Sequence, residues 1–420
     1  MSKKRRLNQS TTIFDPVHRE YELGPEIIDI INKQKFQRLR RLRQLATSHW
    51  VWLGATHTRF EHSISVAYLA GHMTKNLQYK QPELNITERQ IVLVQLAGLL
   101  HDVGHGPFSH LFDDVFLSDS TSPMAHHEQR SVAIVSLLLE ESEFDYSAEE
   151  VAFVQSLIAP SKGQQGFLYH IVANQVNHLD VDKMEYIKRD ARACGLSQGG
   201  FDTDTMRIIN AARVIDGHIC YHHKVYEDIY NLFQTRYRLH TTVYRHPAVV
   251  SIHYMVSDAL RFSGIPLEKS IDDIETFCMY DDSVLDSLRF STHQKKSRDI
   301  IRRIDERRLY KVVETHKNAK PWDKTPTPEA LVLLEPNLPI ETLIVDYSCV
   351  GFIGKADGHP MDQLRFYNSQ KPDKSFALKR RSVSTLLTPR YCEYWTRIIV
   401  RDAEHLDLAA NAWSMWKGSI

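Results

Sequence analysis

Apolar residues recur at helical spacing along most of this chain and become strand-like mainly in its last quarter. FEHSISVAYLAGHM (60–73) carries Phe60, Ile64, Ala67 and Leu69 on one face, with Met73 extending the stripe, and predicts a helix. Thr87-Glu-Arg-Gln90 has the capping-box pattern and opens the apolar run 88–100, which Gly104 is expected to stop. Ser147-Ala-Glu-Glu150 opens another helix in the same way, and DVDKMEYIKRDARACG (180–195) reads as a helix ended by Gly195. The stretch 225–262 reads as one long helix with Pro247 as a kink. VIDGHI (214–219) places Asp-Gly between β-branched residues and predicts a hairpin. FQRLRRLRQL (36–45) has helical spacing with four arginines inside it. A solvated basic face and an anion or nucleotide contact are both open readings there.

The pattern changes after PWDKTPTPEA (321–330), a Pro- and Thr-rich linker or loop; ETLIVDYSCVGFIG (341–354) is apolar and β-branched. The expected class is therefore mainly α. A polar, disordered N-terminus covers 1–12, a helical core 13–320, and a smaller α+β lobe 321–420. No internal repeat is visible.

Composition narrows the partners. Lys+Arg and Asp+Glu are both 52, so no global charge draws the chain to nucleic acid or membrane. No run of about 18 apolar residues occurs, so no membrane span is expected. MSKKRRLNQS lacks the apolar core of a secretory signal, and its KKRR reads as a solvated terminus or a nuclear address. The expected location is cytoplasmic, or nuclear in a eukaryote. Cys194, Cys220, Cys278, Cys349 and Cys392 show no CxxC spacing. That argues against a disulfide framework and fits a reducing compartment.

The chemistry gathers around LAGLLHDVGHGPFSH (96–110). His101 and Asp102 end an apolar helix, His62 lies in RFEH, and Asp182 lies in DVDKMEY. Two histidines and two carboxylates make a mixed nitrogen and oxygen site for Fe, Zn, Mn or a similar divalent metal. Such a metal lowers the pKa of bound water toward neutrality. His105, His110, Asp113, His127 and Glu128 lie near it in sequence, and pairs such as His127–Glu128 or His110–Asp113 suit proton transfer. Arg59, Lys183, Tyr186 and Arg236 suit an anionic substrate. No GxxxxGK[ST] loop is present. The set reads as phosphoester or phosphoanhydride hydrolysis.

The order H…HD…D resembles the HD-domain phosphohydrolases. IFDPVH, FQRLRRLRQL, RFEHSISVAYLAG, GLLHDVGHGPFSH, HEQRS, DVDKMEY and YNLFQTRYRLHTTVY make the resemblance closer. They are similar, in order, to the catalytic region of the deoxynucleoside triphosphate (dNTP) triphosphohydrolases that carry a SAM and an HD domain. No SAM domain is expected ahead of it.

The resemblance implies hydrolysis of dNTP to deoxynucleoside and intact triphosphate. His62, His101, Asp102 and Asp182 match its metal ligands, with Fe, Zn, Mn or Mg bound and Mg on the triphosphate. His105, His110 and His127 match active-site histidines. His110, assisted by Asp113, is expected to protonate the leaving 5′-oxygen, and His127 with Glu128 to complete the proton network. Arg59, Lys183, Tyr186, Arg236 and His240 match triphosphate contacts and the site wall, while Gln44 and Asp190 match the groups holding the sugar 3′-hydroxyl. Leu45 and Tyr244 match the residues that exclude a 2′-hydroxyl, and Arg245 falls on a base-contacting position.

The resemblance also implies a homotetramer assembled by nucleotides at two allosteric sites. Gln37, Arg40, Arg307, Leu309 and Lys311 match the first. Asn32 and Thr11 depart there from a guanine-reading Asp and a phosphate-binding Lys, so the activator is expected to be a nucleotide other than GTP, such as a dNTP. Val51, Trp52, Arg207, Lys224 and Arg380 match the second, where His222, Asp228 and Pro247 are departures. Control of dNTP pools and antiviral or antiphage defence are the implied roles. The alternatives are an HD phosphohydrolase for another nucleotide phosphate and a non-catalytic nucleic-acid-binding sensor.

Overall fold

A computed structural model describes residues 9–161, 163–197, 204–352, 359–378 and 391–419. The KKRR run and Arg380 lie outside the described residues. The chain forms two compact units that interleave along the sequence. The first comprises Met1–Thr235, Ile265–Val284 and Pro360–Thr385; the second comprises Arg236–Gly264, Leu285–His359 and Leu386–Ile420.

The first unit opens with an antiparallel hairpin of β1 (Thr11–Asp15) and β2 (Arg19–Leu23). Thr11 and Thr12 are thus already paired, within the stretch expected to be disordered. Helices α1 (Pro25–Ile31) and α2 (Gln34–Gln37) follow. The core is the pair α3 (Arg59–Lys80) and α4 (Glu88–Leu100), each opened by a capping box, at Thr58 and Thr87. Small residues let their backbones touch. A Cβ on Gly98 would lie 3.1 Å from both the Ala70 Cβ and the Val66 carbonyl, and one on Gly71 would lie 2.4 Å from Gln95. Those pairings make the helices antiparallel, so the start of α3 adjoins the end of α4. Ile91, Leu93, Val94, Leu96, Leu99 and Leu100 are all buried, each contributing roughly 1.5–3 kcal/mol.

Around this pair stand α5 (His127–Glu140), α6 (Ala148–Ile158, capped by Ser147) and α7 (Val181–Ala193). Helix α8 (Thr205–Asn210) leads into β3 (Ala212–Ile215) and β4 (His218–His222). Their Asp216-Gly217 turn has φ of 51° and 76°, as a two-residue hairpin requires. β4 pairs in parallel with β7 (Phe366–Asn368), which pairs with β8 (Lys371–Phe376). Helix α9 (Tyr226–Leu239) follows, with its residues from Arg236 on belonging to the second unit.

In the second unit, β5 (Lys311–Asn318), β9 (Cys392–Val400) and β6 (Leu343–Gly351) form an antiparallel sheet in that order. Leu343, Ile398 and Val400 on the sheet pack with Leu331, Ala409, Trp413 and Trp416. The last three lie on the helix Leu406–Gly418.

Four expectations need correction. Residues 36–45 do not form one helix: α2 gives way to a 3-10 turn over Arg38–Arg41, and Arg43 pairs with Thr58 in an isolated bridge. The segment 225–262 is two helices, α9 and Pro247–Arg261, separated by a π-helical turn at His240–Tyr244; Pro247 starts the second helix, where its missing N–H costs nothing. Gly104 does not stop α4, which ends at Leu100 with His101 as cap residue. Gly104 is required because a Cβ there would lie 2.3 Å from both the His127 carbonyl and the Ser131 nitrogen. Finally, Cys349 and Cys392 form a disulfide, because neighbouring strands β6 and β9 place their Cα atoms 6.6 Å apart. A separation of 43 residues hides that pairing in the sequence. Among the described residues, no helix is long and apolar enough to cross a membrane.

Candidate active site

Three helix ends meet in the first unit. His62 lies in the first turn of α3, His101 and Asp102 follow the last turn of α4, and Asp182 lies in the first turn of α7. A carboxylate in a first helical turn faces unpaired backbone N–H groups, which favour its charge. The His62 Nε2 is 3.3 Å from Asp102 and 3.2 Å from Asp182; the His101 Nε2 is 3.5 and 3.4 Å from the same two carboxylates.

Tautomers follow from the partners on the far side of each ring. The His62 Nδ1 lies 2.5 Å from Glu185, and the His101 Nδ1 donates to the Gly98 carbonyl at 2.8 Å. Both Nε2 atoms are therefore bare, buried and without a hydrogen-bond partner. Two converging imidazole nitrogens and two carboxylates fit a divalent metal.

Behind His62 lies a buried polar chain. Glu185 accepts from the Arg189 Nε at 2.7 Å, and Arg189 also donates to Asp15 at 2.8 Å and Ser65 at 2.9 Å. Burial pushes the Glu185 carboxyl up, but Arg189 and His62 outweigh it and hold it well below the usual range.

A second cluster adjoins the first. His105 and His127 stack with ring centres 3.8 Å apart, and His110 meets them edge-on at 4.9 and 5.4 Å. The His105 Nε2 is 3.3 Å from Asp102. Burial, then Arg59 and His127, push both His105 and His110 below the ordinary imidazole value. Asp113 pairs with His127, not with His110 as expected: it accepts from the His127 Nδ1 at 2.8 Å and its backbone N–H at 3.0 Å. Buried Arg130 binds its other oxygen. Burial raises the Asp113 carboxyl, but the His127 hydrogen bond and Arg130 win and hold it at about 2. Glu128, half exposed, stands 3.6 Å from the His127 Nδ1 and is the weaker partner.

Arg59 is buried; it forms an ion pair with Asp102 and donates its Nε to Ser109 at 2.8 Å. Its second terminal nitrogen is buried without a partner and is the part left for an anion. Lys183 reaches Asp180 at 3.0 Å. Gln44 and Asp190, expected to share one hydroxyl, both meet His57. The Gln44 N–H donates to the His57 carbonyl at 3.1 Å, and the His57 Nε2 lies 2.8 Å from Asp190. The Gln44 Oε1 is buried and unpartnered. Leu45 follows, half-buried, and Tyr186 lies one turn beyond Asp182.

Arg236, His240, Tyr244 and Arg245 belong to the second unit. There Arg236 donates to the Gly351 carbonyl at 2.7 Å, His240 meets Tyr244 edge-on, and Arg245 binds Asp346 and Ser348. Of the positions matched to a first allosteric site, Asn32 caps α1, Gln37 bonds Arg40 at 2.8 Å, and Arg40 lies over the Phe60 ring. Arg307 and Lys311 lie in the second unit. Of the second set, Val51 and Trp52 occupy the turn after Ser48–Trp50. Arg207 and Lys224 line a cavity of about 560 Å³ with Asp204, Asn210, His222 and Tyr367.

Sequence reasoning missed Glu185, Arg189, His57, Arg130 and Arg38. Glu185 was in view, inside DVDKMEY, three residues after the candidate ligand Asp182. Arg38 is neither solvated nor a free anion contact: it is buried and donates to the carbonyls of Val103, His105 and Tyr280.

Residues 59–174 match the HD domain family, and residues 203–322 match the HD-associated region. The chain is 34% identical to a deoxynucleoside triphosphate triphosphohydrolase SAMHD1 homolog of Dictyostelium discoideum, over 96% of this chain and 80% of that protein. It is also 34% identical to the SAMHD1 enzyme of Homo sapiens (95% and 71% covered) and 32% to that of Danio rerio (96% and 73%). With the HD-type centre at the joined ends of three helices, these likenesses settle the family. The chain belongs to the HD-domain deoxynucleoside triphosphate triphosphohydrolases of the SAMHD1 type and is a hydrolase.

Proposed function

We propose that this protein hydrolyses dNTPs to deoxynucleoside and inorganic triphosphate. The observation that carries the reading is one buried centre: two bare imidazole nitrogens and two carboxylates beside a cluster of three further histidines. His62, His101, Asp102 and Asp182 would hold a divalent metal, which when bound supplies Lewis acidity toward a phosphoryl oxygen and acidifies water.

The other residues then divide the work. His127, oriented by Asp113, accepts a proton. His110 stands at the edge of the cluster and delivers the proton to the leaving 5′-oxygen. An incoming anion offsets the Arg59 charge that lowers the proton affinity of His110, so substrate itself favours the protonated form. The free nitrogen of Arg59, with Lys183 and Tyr186, contacts the triphosphate. Gln44 and Asp190, both steadied by His57, hold the sugar 3′-hydroxyl. Leu45 packs where a 2′-hydroxyl would sit, and this exclusion is steric because an apolar wall alone rejects a hydroxyl poorly.

Activation by bound nucleotide and assembly into a homotetramer belong to the same proposal. The cavity holding Arg207, Lys224 and His222 supports a second nucleotide site, and its basic groups suit phosphate. Asn32, with one acceptor and one donor, suits a base edge of mixed polarity better than guanine. Lowered dNTP pools would serve homeostasis or antiviral or antiphage defence. The test is triphosphate release from each dNTP, with every other nucleotide added in turn, followed alongside oligomer mass. Release that needs an activator and tracks a tetramer supports the proposal; activity of a monomer without activator rejects its regulatory half.

A further inference from the structure

Phe108 and Ser109, between His105 and His110, have φ of 62° and 57°. Neither is glycine or asparagine, and two such residues in succession persist only where the surroundings dictate them. Those surroundings come from two distant segments of the same unit. The Phe108 N–H donates to one oxygen of Asp282 at 2.7 Å, and the Arg43 N–H donates to its other oxygen at 2.9 Å. The Ser109 hydroxyl donates to the Arg43 carbonyl at 2.7 Å and accepts from Arg59. Arg38 ties the Val103, His105 and Tyr280 carbonyls together. Asp281, next along the chain, is engaged elsewhere, with Arg41 and the Ser283 N–H.

We propose that Asp282 is a positioning residue whose carboxylate staples the Arg43 backbone to the Phe108 backbone. The first strand of that staple enters Gln44 and Leu45; the second carries His105 and His110. Asp282 thereby fixes the sugar-holding wall against the proton-transfer histidines, while touching neither substrate nor metal. A carboxyl group suits the task because its two oxygens accept two N–H groups at once. The assignment of the two walls rests on the dNTP hydrolase reading; the staple itself does not.

Asp282→Asn keeps the shape but turns one oxygen into an N–H donor, which faces an N–H and breaks one arm. Displacing one wall by about 1 Å is expected to lower kcat roughly 10²-fold, and to lower the preference for deoxy over ribo substrates, with metal content unchanged. Hydrogen exchange should quicken at residues 41–45 and 105–110 alone. Leu77→Ala, in the core at the far end of α3, serves as a control for general destabilisation and should leave the deoxy-to-ribo ratio intact. Unchanged exchange at Arg43 and Phe108 overturns the staple, whatever the substrate. Faster exchange there with an unchanged substrate ratio overturns its role in positioning. A wild-type protein inactive on every dNTP refutes the function reading instead, and the exchange measurement still decides the staple.

Discussion

The Nδ1 of His62 lies 2.5 Å from the Glu185 carboxylate, so the ring's orientation and tautomer are set from behind the centre. A carboxylate in that place also raises the basicity of the opposite nitrogen. Glu185→Gln should therefore lower metal affinity by roughly 10–100-fold while leaving all four ligands in place. Competition against a chelator measures this directly. Equal affinity in the variant would show that Glu185 serves the fold alone.

Gly104 marks the closest approach of the loop after α4 to α5. The Ser131 hydroxyl donates to the His101 carbonyl at 2.7 Å and accepts the Gly104 N–H at 2.9 Å. Gly104→Ala would force these backbones apart and should cost about 1–3 kcal/mol in denaturant unfolding. Because the shift moves His127 against His101, activity should fall further than stability accounts for. A variant as stable as the parent would contradict the packing argument.

Asp113 links pH to stability in one direction. Its folded value, about 2, lies below the ordinary carboxylate value near 3.9. Its contribution is present above about pH 4 and is lost as pH falls through 2. Asp113→Asn leaves Arg130 buried without its charge partner and should cost about 3–5 kcal/mol at pH 7. The variant's stability should also change less than the parent's between pH 4 and pH 2. Parallel curves would refute the pairing.

Asp282 acts in the other direction. Burial raises its carboxyl to about 7 against the opposing Arg43 and Phe108 hydrogen bonds. Its contribution is fully present below the ordinary value near 3.9 and is lost as pH rises through 7. Asp282→Asn should therefore flatten the loss of stability between about pH 4 and pH 7. An unaltered slope there would show that the carboxyl titrates normally.

The helical core was legible because capping boxes at Thr87 and Ser147 are local and survive in any tertiary setting. The converging residues His62, His101, Asp102 and Asp182 were legible as candidates because each lies in a distinctive short motif. What sequence hid was reciprocity across distance. Asp113 was matched with His110, its neighbour in sequence, but the turn after Phe112 directs it to His127. Arg38 read as a solvated charge or an anion contact because nothing local shows that three carbonyls wait for it. The 36–45 segment has helical spacing, yet the Arg43–Thr58 bridge claims its end and places Gln44 on His57. The disulfide was invisible for the same reason: strand neighbours, not spacing, bring Cys349 to Cys392.

Product analysis after incubation of the purified protein with each dNTP and Mg, Mn or Fe tests the account most directly. The account predicts deoxynucleoside and inorganic triphosphate in equal amounts, abolished by changing His101 and Asp102 to Ala. Release of orthophosphate or pyrophosphate, or activity surviving that double change, would contradict it.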